Sequence, residues 1–312
     1  MTAGPHASIP VSSARERFAA RLFDTLWDTY RRRVSYVQTY EQVIRQAGAT
    51  FFNDHIAFRT FACQQPLVGI ASLSRIFEAL GYRAAGSYHF ENKQLSAIHF
   101  QHINPQFPKL FISELKVWEL PAEQRAIVGR AVRSHRPPAS ENLLAALHQL
   151  DQDESPAEEL LPQVAAQFHE LPWELPPRED VLALNQASQY AAWVLVHGYH
   201  VNHFTSLVNS HGVPALDDLE KTIAALMAAG VPMKREIEGE RGSKLRQSAT
   251  EAVQIDVQVS DRGLPASMPW TYAYFELAER DAAIDSETGK KVRFEGFLGP
   301  QATNLFEMTR VK

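Results

Sequence analysis

Tyr199-His200-Val201-Asn202-His203-Phe204-Thr205-Ser206-Leu207 alternates with a period of two: Val201, His203, Thr205 and Leu207 share one face, Asn202, Phe204 and Ser206 the other. That is the signature of a strand. It carries an imidazole at mid-strand, where β-propensity alone gives no reason for one. An apolar lead-in, 190–196, precedes it. Far upstream, Asp54-His55-Ile56-Ala57-Phe58-Arg59-Thr60-Phe61 is a second short apolar strand with a histidine near its start. Two histidines on two similar strands make a candidate metal site.

Outward from these strands, the same order of elements follows each. After 55–61 come a helix over 70–80, closed by Gly81, and strands over 82–90, 94–102 and 109–118. After 201–207 come a helix over 216–229, closed by Gly230, and strands over 231–239, 244–260 and 270–278. The order βαβββ occurs twice, and internal repetition of this kind decides a fold. Aligning the copies sets His55 in NDHIAFRTF opposite His203 in VNHFTSLV, and Glu114 in FISELKV opposite Glu276 in YFELAER. The His-to-Glu intervals differ, 59 residues against 73, and the longer third strand of the second copy is expected to absorb the difference. The expected class is α+β, with duplicated βαβββ modules forming a central barrel-like sheet.

Around the modules the chain divides into a tail and N-terminal helices (1–50), the first module (51–120), an inserted helical segment (121–190), the second module (191–280) and a C-terminal segment (281–312). Residues 1–12 read as a loose tail. Phe18, Leu22, Leu26 and Tyr30 are spaced for a helix with Ser12 or Ser13 as N-cap, and a second helix over 34–47 ends at Gly48. In the insert, 122–133, 140–149 and 156–169 have helical spacing, and Pro172, Pro176 and Pro177 mark an extended linker. The last segment, with a polar turn over 285–290 and a Gly299-Pro300 turn, is expected to pack back on the body.

Composition narrows the functional classes. A chain 45% hydrophobic and 21% charged has the balance of a soluble globular protein. A net charge of -5 gives no basic footprint for nucleic acid. With Cys63 the only cysteine, neither an intrachain disulfide nor a thiolate zinc cage can form, which fits a reducing cytoplasm. No signal peptide or membrane span is evident. There is no phosphate-cradling glycine loop, dinucleotide fingerprint or nucleophile elbow.

Two neutral imidazoles and one carboxylate are the facial donor set of non-haem Fe(II), with positions left open for substrate and dioxygen. Zinc takes the same donors and would supply a Lewis acid or an activated water, so ligand types alone leave iron, manganese and zinc open. A histidine on a strand is ordinarily a half-buried structural residue; the matched positions of His55 and His203 in a repeat are what single them out. Glu276 ranks ahead of Glu114 because it shares a module with His203. His200 faces away from His203, and His99, His102, His197 and His211 lack matched partners, so these read as structural. Arg59, four residues after His55, shares that residue's face and offers a bidentate donor to an anionic substrate such as an oxo acid; the other reading pairs it with a core carboxylate. Arg246, Gln247 and Ser248 are weaker candidates for the pocket wall.

Through NDHIAFRTF, FISELKV, HVNHFT, YFELAER and the terminal NLFEMTR, the chain from about residue 15 onward resembles the 2-oxoadipate dioxygenase/decarboxylase family. The resemblance implies a vicinal-oxygen-chelate-like fold, metal ligands at His55, His203 and Glu276, and a substrate-binding arginine at Arg59. It also implies Fe(II) chemistry in which a 2-oxo acid chelates the metal through its carboxylate and ketone oxygens. Dioxygen is consumed, carbon dioxide is released and a 2-hydroxy acid is formed; for 2-oxoadipate the product is 2-hydroxyglutarate, a step in lysine breakdown. A second reading is a non-redox glyoxalase-type lyase or isomerase using zinc, nickel or manganese, which would want a fourth protein ligand such as Glu114. A third is a non-catalytic binding module with His55 and His203 as core residues. The expected partners are a small oxo acid and O2, with neither nucleic acid nor membrane, and a homo-oligomer is compatible with the sequence.

Overall fold

The computed structural model describes residues 4–63, 68–284, 289–298 and 309. Ser13 caps α1 (Ala14–Arg33) by accepting the Glu16 amide, and Gly48 ends α2 (Tyr36–Ala47) with a left-handed φ of 68°. The residues before α1 are not loose from Gly4 onward. His6 is buried, with Nδ1 2.9 Å from Asp24 and Nε2 2.8 Å from the Asn53 side-chain amide. The tail is held because these polar contacts offset the burial of its imidazole.

The first module has the expected order: β1 (Asn53–Ala62), α3 (Ile70–Ala79), β2 (Tyr82–Phe90), β3 (Leu95–His102) and β4 (Lys109–Lys116). The insert contains α4 (Ala122–Val132), α5 (Glu141–Gln149), α6 (Ala157–Ala166), α7 (Arg178–Ala187) and α8 (Gln189–His197). The last two depart from the sequence reading. The extended proline stretch stops at Pro177, and the apolar lead-in to the His203 strand is a helix. From Tyr190 to His197 every residue of α8 is buried, so its sequence shows no 3.6-residue stripe from which to recognise it.

In the second module β5 (Val201–Leu207) and α9 (Leu219–Ala228) are followed by β6 (Leu245–Ala249), β7 (Gln254–Asp261), β8 (Leu264–Thr271) and β9 (Glu276–Arg280). Two expectations fail here. Residues 231–239 make only single bridges, Met233 to Thr250 and Glu238 to Gln247. The stretch 244–260 is two strands, the second of which turns back through Arg262 and Gly263 into β8. Both turn residues have positive φ, 52° and 81°, the geometry of a tight hairpin turn. The β7–β8 hairpin stands outside the main sheet, and it, rather than a long strand, absorbs the larger interval between His203 and Glu276. A small hairpin, β10 (Ala282–Ile284) with β11 (Lys291–Arg293), follows. Residues 285–288 of the polar turn, the Gly299-Pro300 turn and all of the NLFEMTR motif but Thr309 lie outside the described residues.

The main sheet runs β2-β3-β4-β1-β5-β9-β6 and curls into a half-barrel. β1 and β5 pair antiparallel at its centre, each is flanked by a parallel partner, β4 or β9, and each of those by an antiparallel one, β3 or β6. The three strands on either side of the seam therefore correspond, with β2 alone lacking a counterpart, and a local two-fold axis passes between β1 and β5. The α+β class and the duplicated modules stand as expected. Outside the seam, Phe204 of β5 meets Trp27 and Tyr30 of α1, each with ring centroids 5.0 Å away, and Phe58 of β1 meets Phe77 of α3 at 5.3 Å.

Phe204→Ala is expected to lower unfolding stability by about 3–5 kcal/mol, since it empties a site under two aromatic rings. Leu264→Ala, at a position 70% exposed on the hairpin turn, should change it by less than about 0.5 kcal/mol. Urea unfolding of both variants with unchanged slopes checks the pair.

Candidate metal centre

Across the seam, His55 pairs with Thr205 and Ala57 pairs with His203, so the two imidazoles come from equivalent positions on either side of the axis. Glu276, at the start of β9, pairs with Thr205. His55 Nε2 lies 3.2 Å from Glu276 Oε1 and His203 Nε2 3.4 Å from Glu276 Oε2. The donor atoms of the three residues all fall within 4.8 Å of one another, and all three residues are buried.

The residue before each histidine sets its ring. Asp54 Oδ2 is 2.7 Å from His55 Nδ1, and Asn202 Oδ1 is 3.0 Å from His203 Nδ1. With Nδ1 as the donor on each ring, both Nε2 lone pairs face Glu276, the orientation that acceptors behind metal-bound histidines impose. Asp54 is itself clamped by Arg280, whose Nε donates at 2.6 Å and Nη2 at 2.9 Å.

On the carboxylate, Gln247 Nε2 donates to Oε1 at 2.6 Å, whereas Oε2 is buried with no hydrogen-bond partner. A buried acceptor left bare is costly, and a divalent cation between it and the two Nε2 atoms would satisfy it. The residues present therefore fit a metal.

The electrostatics agree. Burial pushes the His203 imidazole down to about 3, against the pull of Glu276 and with the nearby Arg59 charge adding to it, so it is neutral and able to ligate at neutral pH. Burial opposes the charged form of His55, yet Asp54 and Glu276 raise it overall. Burial likewise opposes ionised Glu276, but His203, His55 and Gln247 hold its carboxyl below the usual range.

Arg59 lines the same pocket and is 2% exposed. Its guanidinium lies 5.0 Å from the Tyr190 ring and 5.1 Å from the Trp193 ring, both on α8, and Nη1 donates to Thr309 Oγ1 at 2.7 Å. Gln247 also lines the pocket, whereas Arg246 and Ser248 do not. Strand alternation turns these two to the other face, where Arg246 pairs with Glu220 at 2.5 Å and Glu279 at 3.1 Å.

Glu114 is not brought to the centre. It accepts the Ile70 amide at 2.8 Å, at the N-terminus of α3, where the exposed helix amides attract a carboxylate. Glu279 does the same for the Leu219 amide of α9 at 3.0 Å. Glu114 thus matches Glu279, and its alignment with Glu276 was three residues out of register.

Sequence reasoning missed Thr205, whose Oγ1 is 3.0 Å from His55 Nε2, and Tyr274, whose ring stacks on His203 at 4.8 Å. It also missed Phe297, whose ring stands edge-on to His55 at 4.9 Å. The Asp-His and Asn-His doublets were the legible signal for the ring-orienting residues.

A model of the family described as 2-oxoadipate dioxygenase/decarboxylase matches residues 20–293. The chloroplastic 2-oxoadipate dioxygenase/decarboxylase of Arabidopsis thaliana is 27% identical over 277 residues, 82% of this chain and 67% of that protein. A glyoxalase superfamily protein of Ralstonia eutropha JMP134 superposes with a TM-score of 0.79 at 23% identity, covering 94% of this chain and 93% of that one. The hydroxyglutarate synthase of Oryza sativa, solved in complex with 2-oxoadipate, gives a TM-score of 0.75 at 24% identity, with 96% of each chain covered. The two structures establish the glyoxalase-type fold.

Asp54→Asn is expected to weaken metal binding by about 10–100-fold, because it removes the carboxylate behind His55; equilibrium dialysis with Co(II) measures this. The same change should cost stability at neutral pH, since Arg280 loses its buried partner. Arg280 and Lys109 hold the Asp54 carboxyl well below its ordinary value in spite of burial. Its contribution is therefore full above the unfolded pKa of about 3.9 and is lost as pH falls through the lower folded pKa. The stability gap between native protein and variant should accordingly narrow on acidification below about pH 4, as urea titrations at stepped pH would show.

Proposed function

Because the chain belongs to the 2-oxoadipate dioxygenase/decarboxylase family, we propose that it converts a 2-oxo acid such as 2-oxoadipate, with O2, to the 2-hydroxy acid one carbon shorter and CO2. The observation that carries this is a buried set of two imidazoles and a carboxylate, one of whose oxygens has no hydrogen-bond partner, in one pocket with a buried arginine. His55, His203 and Glu276 would hold divalent iron, which when bound supplies redox chemistry and open coordination positions. For 2-oxoadipate the product is 2-hydroxyglutarate, and the reaction belongs to lysine breakdown. Dioxygen takes up four electrons, two from the decarboxylation and two from hydroxylation of a C–H bond. One of its oxygen atoms enters the new carboxylate and the other the hydroxyl.

This chain's residues position and shield. Asp54 and Asn202 fix the imidazoles, and Gln247 fixes Glu276. Arg59 presents a guanidinium to a substrate carboxylate, and a bidentate grip would set the acid's orientation as well as its affinity. Tyr274, Phe111 and Phe297 line the pocket with apolar surface, which strengthens that ion pair by excluding water. The glyoxalase-type reading with zinc, nickel or manganese would normally want a fourth protein ligand, and the engagement of Glu114 at the α3 N-terminus speaks against it.

Anaerobically purified, Fe(II)-loaded protein is expected to take up one O2 and release one CO2 per 2-oxoadipate consumed, with the activity lost in His203→Ala. Arg59→Lys should raise KM for the oxo acid by roughly tenfold or more, the equivalent of losing about 1.5–3 kcal/mol of charge-assisted hydrogen bonding. Metal-loaded native protein that takes up no oxygen with 2-oxoadipate or its shorter and longer homologues would sink the proposal, and anaerobic turnover with zinc or nickel would favour the non-redox reading.

A further inference from the structure

The two-fold axis at the seam fixes which residue of one module corresponds to which of the other, and the helix termini agree with the strand ladders. Across β1 and β5, the pairs His55–Thr205 and Ala57–His203 exchange under the axis, which equates His55 with His203 and Ala57 with Thr205. In the parallel pairs beside the seam, Ala57 faces Phe111 and Thr205 faces Glu276, which equates Phe111 with Glu276. Three residues on, Glu114 and Glu279 take the first amides of α3 and α9 at 2.8 and 3.0 Å, as that register requires. Phe111 therefore stands toward His203 and His55 as Glu276 stands toward His55 and His203. It is buried, it lines the metal pocket, and its ring lies 4.9 Å from that of Phe297.

We infer that Phe111 occupies the place of a fourth protein ligand and that its apolar ring sets the reaction type by keeping that coordination position free for substrate. The inference rests on His55, His203 and Glu276 being the metal ligands. With a carboxylate on each side of the axis the site would have two histidines and two carboxylates, a nearly closed donor set suited to binding a cation or polarising one oxygen. With Phe111 on one side the protein would supply three donors and leave room for a chelating oxo acid, which takes two positions, and for dioxygen, which takes a third; a fourth protein donor would leave room for the oxo acid alone. Placed across from Glu276, the ring also adds no second negative charge beside an anionic substrate, where like charges would repel.

The test moves the carboxylate across the axis. Co(II) affinity and the visible spectrum of the Co(II) protein are read for the native chain, Phe111→Glu, Glu276→Gln and the Phe111→Glu, Glu276→Gln double variant. Phe111→Glu is expected to tighten Co(II) by at least about tenfold, shift its spectrum and abolish oxygen uptake with 2-oxoadipate. Glu276→Gln should weaken Co(II) by at least about tenfold, and the double variant should restore the affinity to within roughly threefold of native. Phe111→His, close to the native ring in shape and neutral when buried, tests the same position if the carboxylate prevents folding, and should tighten Co(II) likewise. Folded Phe111 variants whose Co(II) affinity and spectrum match those of the native chain, or a folded double variant no better than Glu276→Gln, overturn the inference. If the native chain itself binds no Co(II), the metal reading fails instead.

Discussion

The antiparallel register between β1 and β5 is the constraint on which the rest depends. A slip of one residue would turn His55 and His203 away from each other and set Phe58 and Phe204, which pack against helices, toward the metal pocket. The register is held from both faces. Outside, the rings of Trp27, Tyr30 and Phe204 interlock; inside, Thr205 touches both His55 and Glu276. The hydrophobic packing that stabilises the sheet therefore also specifies the geometry of the donor set, and neither can drift without the other.

Behind the donor set lies a chain of polar contacts that ends on a buried ion pair. Glu276 faces His55, His55 faces Asp54, Asp54 faces Arg280, and Arg280 Nη1 donates to the carbonyls of Phe294 at 3.1 Å and Gly296 at 2.7 Å. The Asp54–Arg280 pair at its far end is closed by opposite charge and carbonyl dipoles, the condition under which buried charge is tolerated. The carbonyls at the end of this chain belong to the segment that bears Phe297, so the wall of the pocket and the orientation of the candidate ligand His55 share one arginine.

Much of this was legible in the sequence. Two histidines at the same place in two βαβββ units, each after an Asp or Asn, are visible without coordinates because alternation along a strand is strictly local. What was not legible depends on pairing between distant segments. The match of Glu114 to Glu276 followed a shared Glu-Leu dipeptide, whereas the ladders and helix termini match it to Glu279. The strand expected over 244–260 merges β6 with β7 because the break between them, Thr250-Glu251-Ala252-Val253, holds no Gly, Pro, Asn or Asp to announce it. Helix α8 was hidden by its own burial: a segment apolar on every side has no periodicity to display.

The seam joins residues about 150 positions apart, and that separation bears on how the chain is made. When the first module leaves the ribosome, β1 is an open edge, with a row of unpaired backbone donors and acceptors that can recruit the wrong strand. Roughly 80 residues, α4 to α8, must be synthesised before β5 can close it, a delay of roughly 4–16 s at ordinary elongation rates. The insert is thus made between the two strands of the seam, and α8, which lies against β1 in the finished fold, is the last of it to emerge. A segment with none of the candidate ligands can in this way govern whether the site is ever assembled.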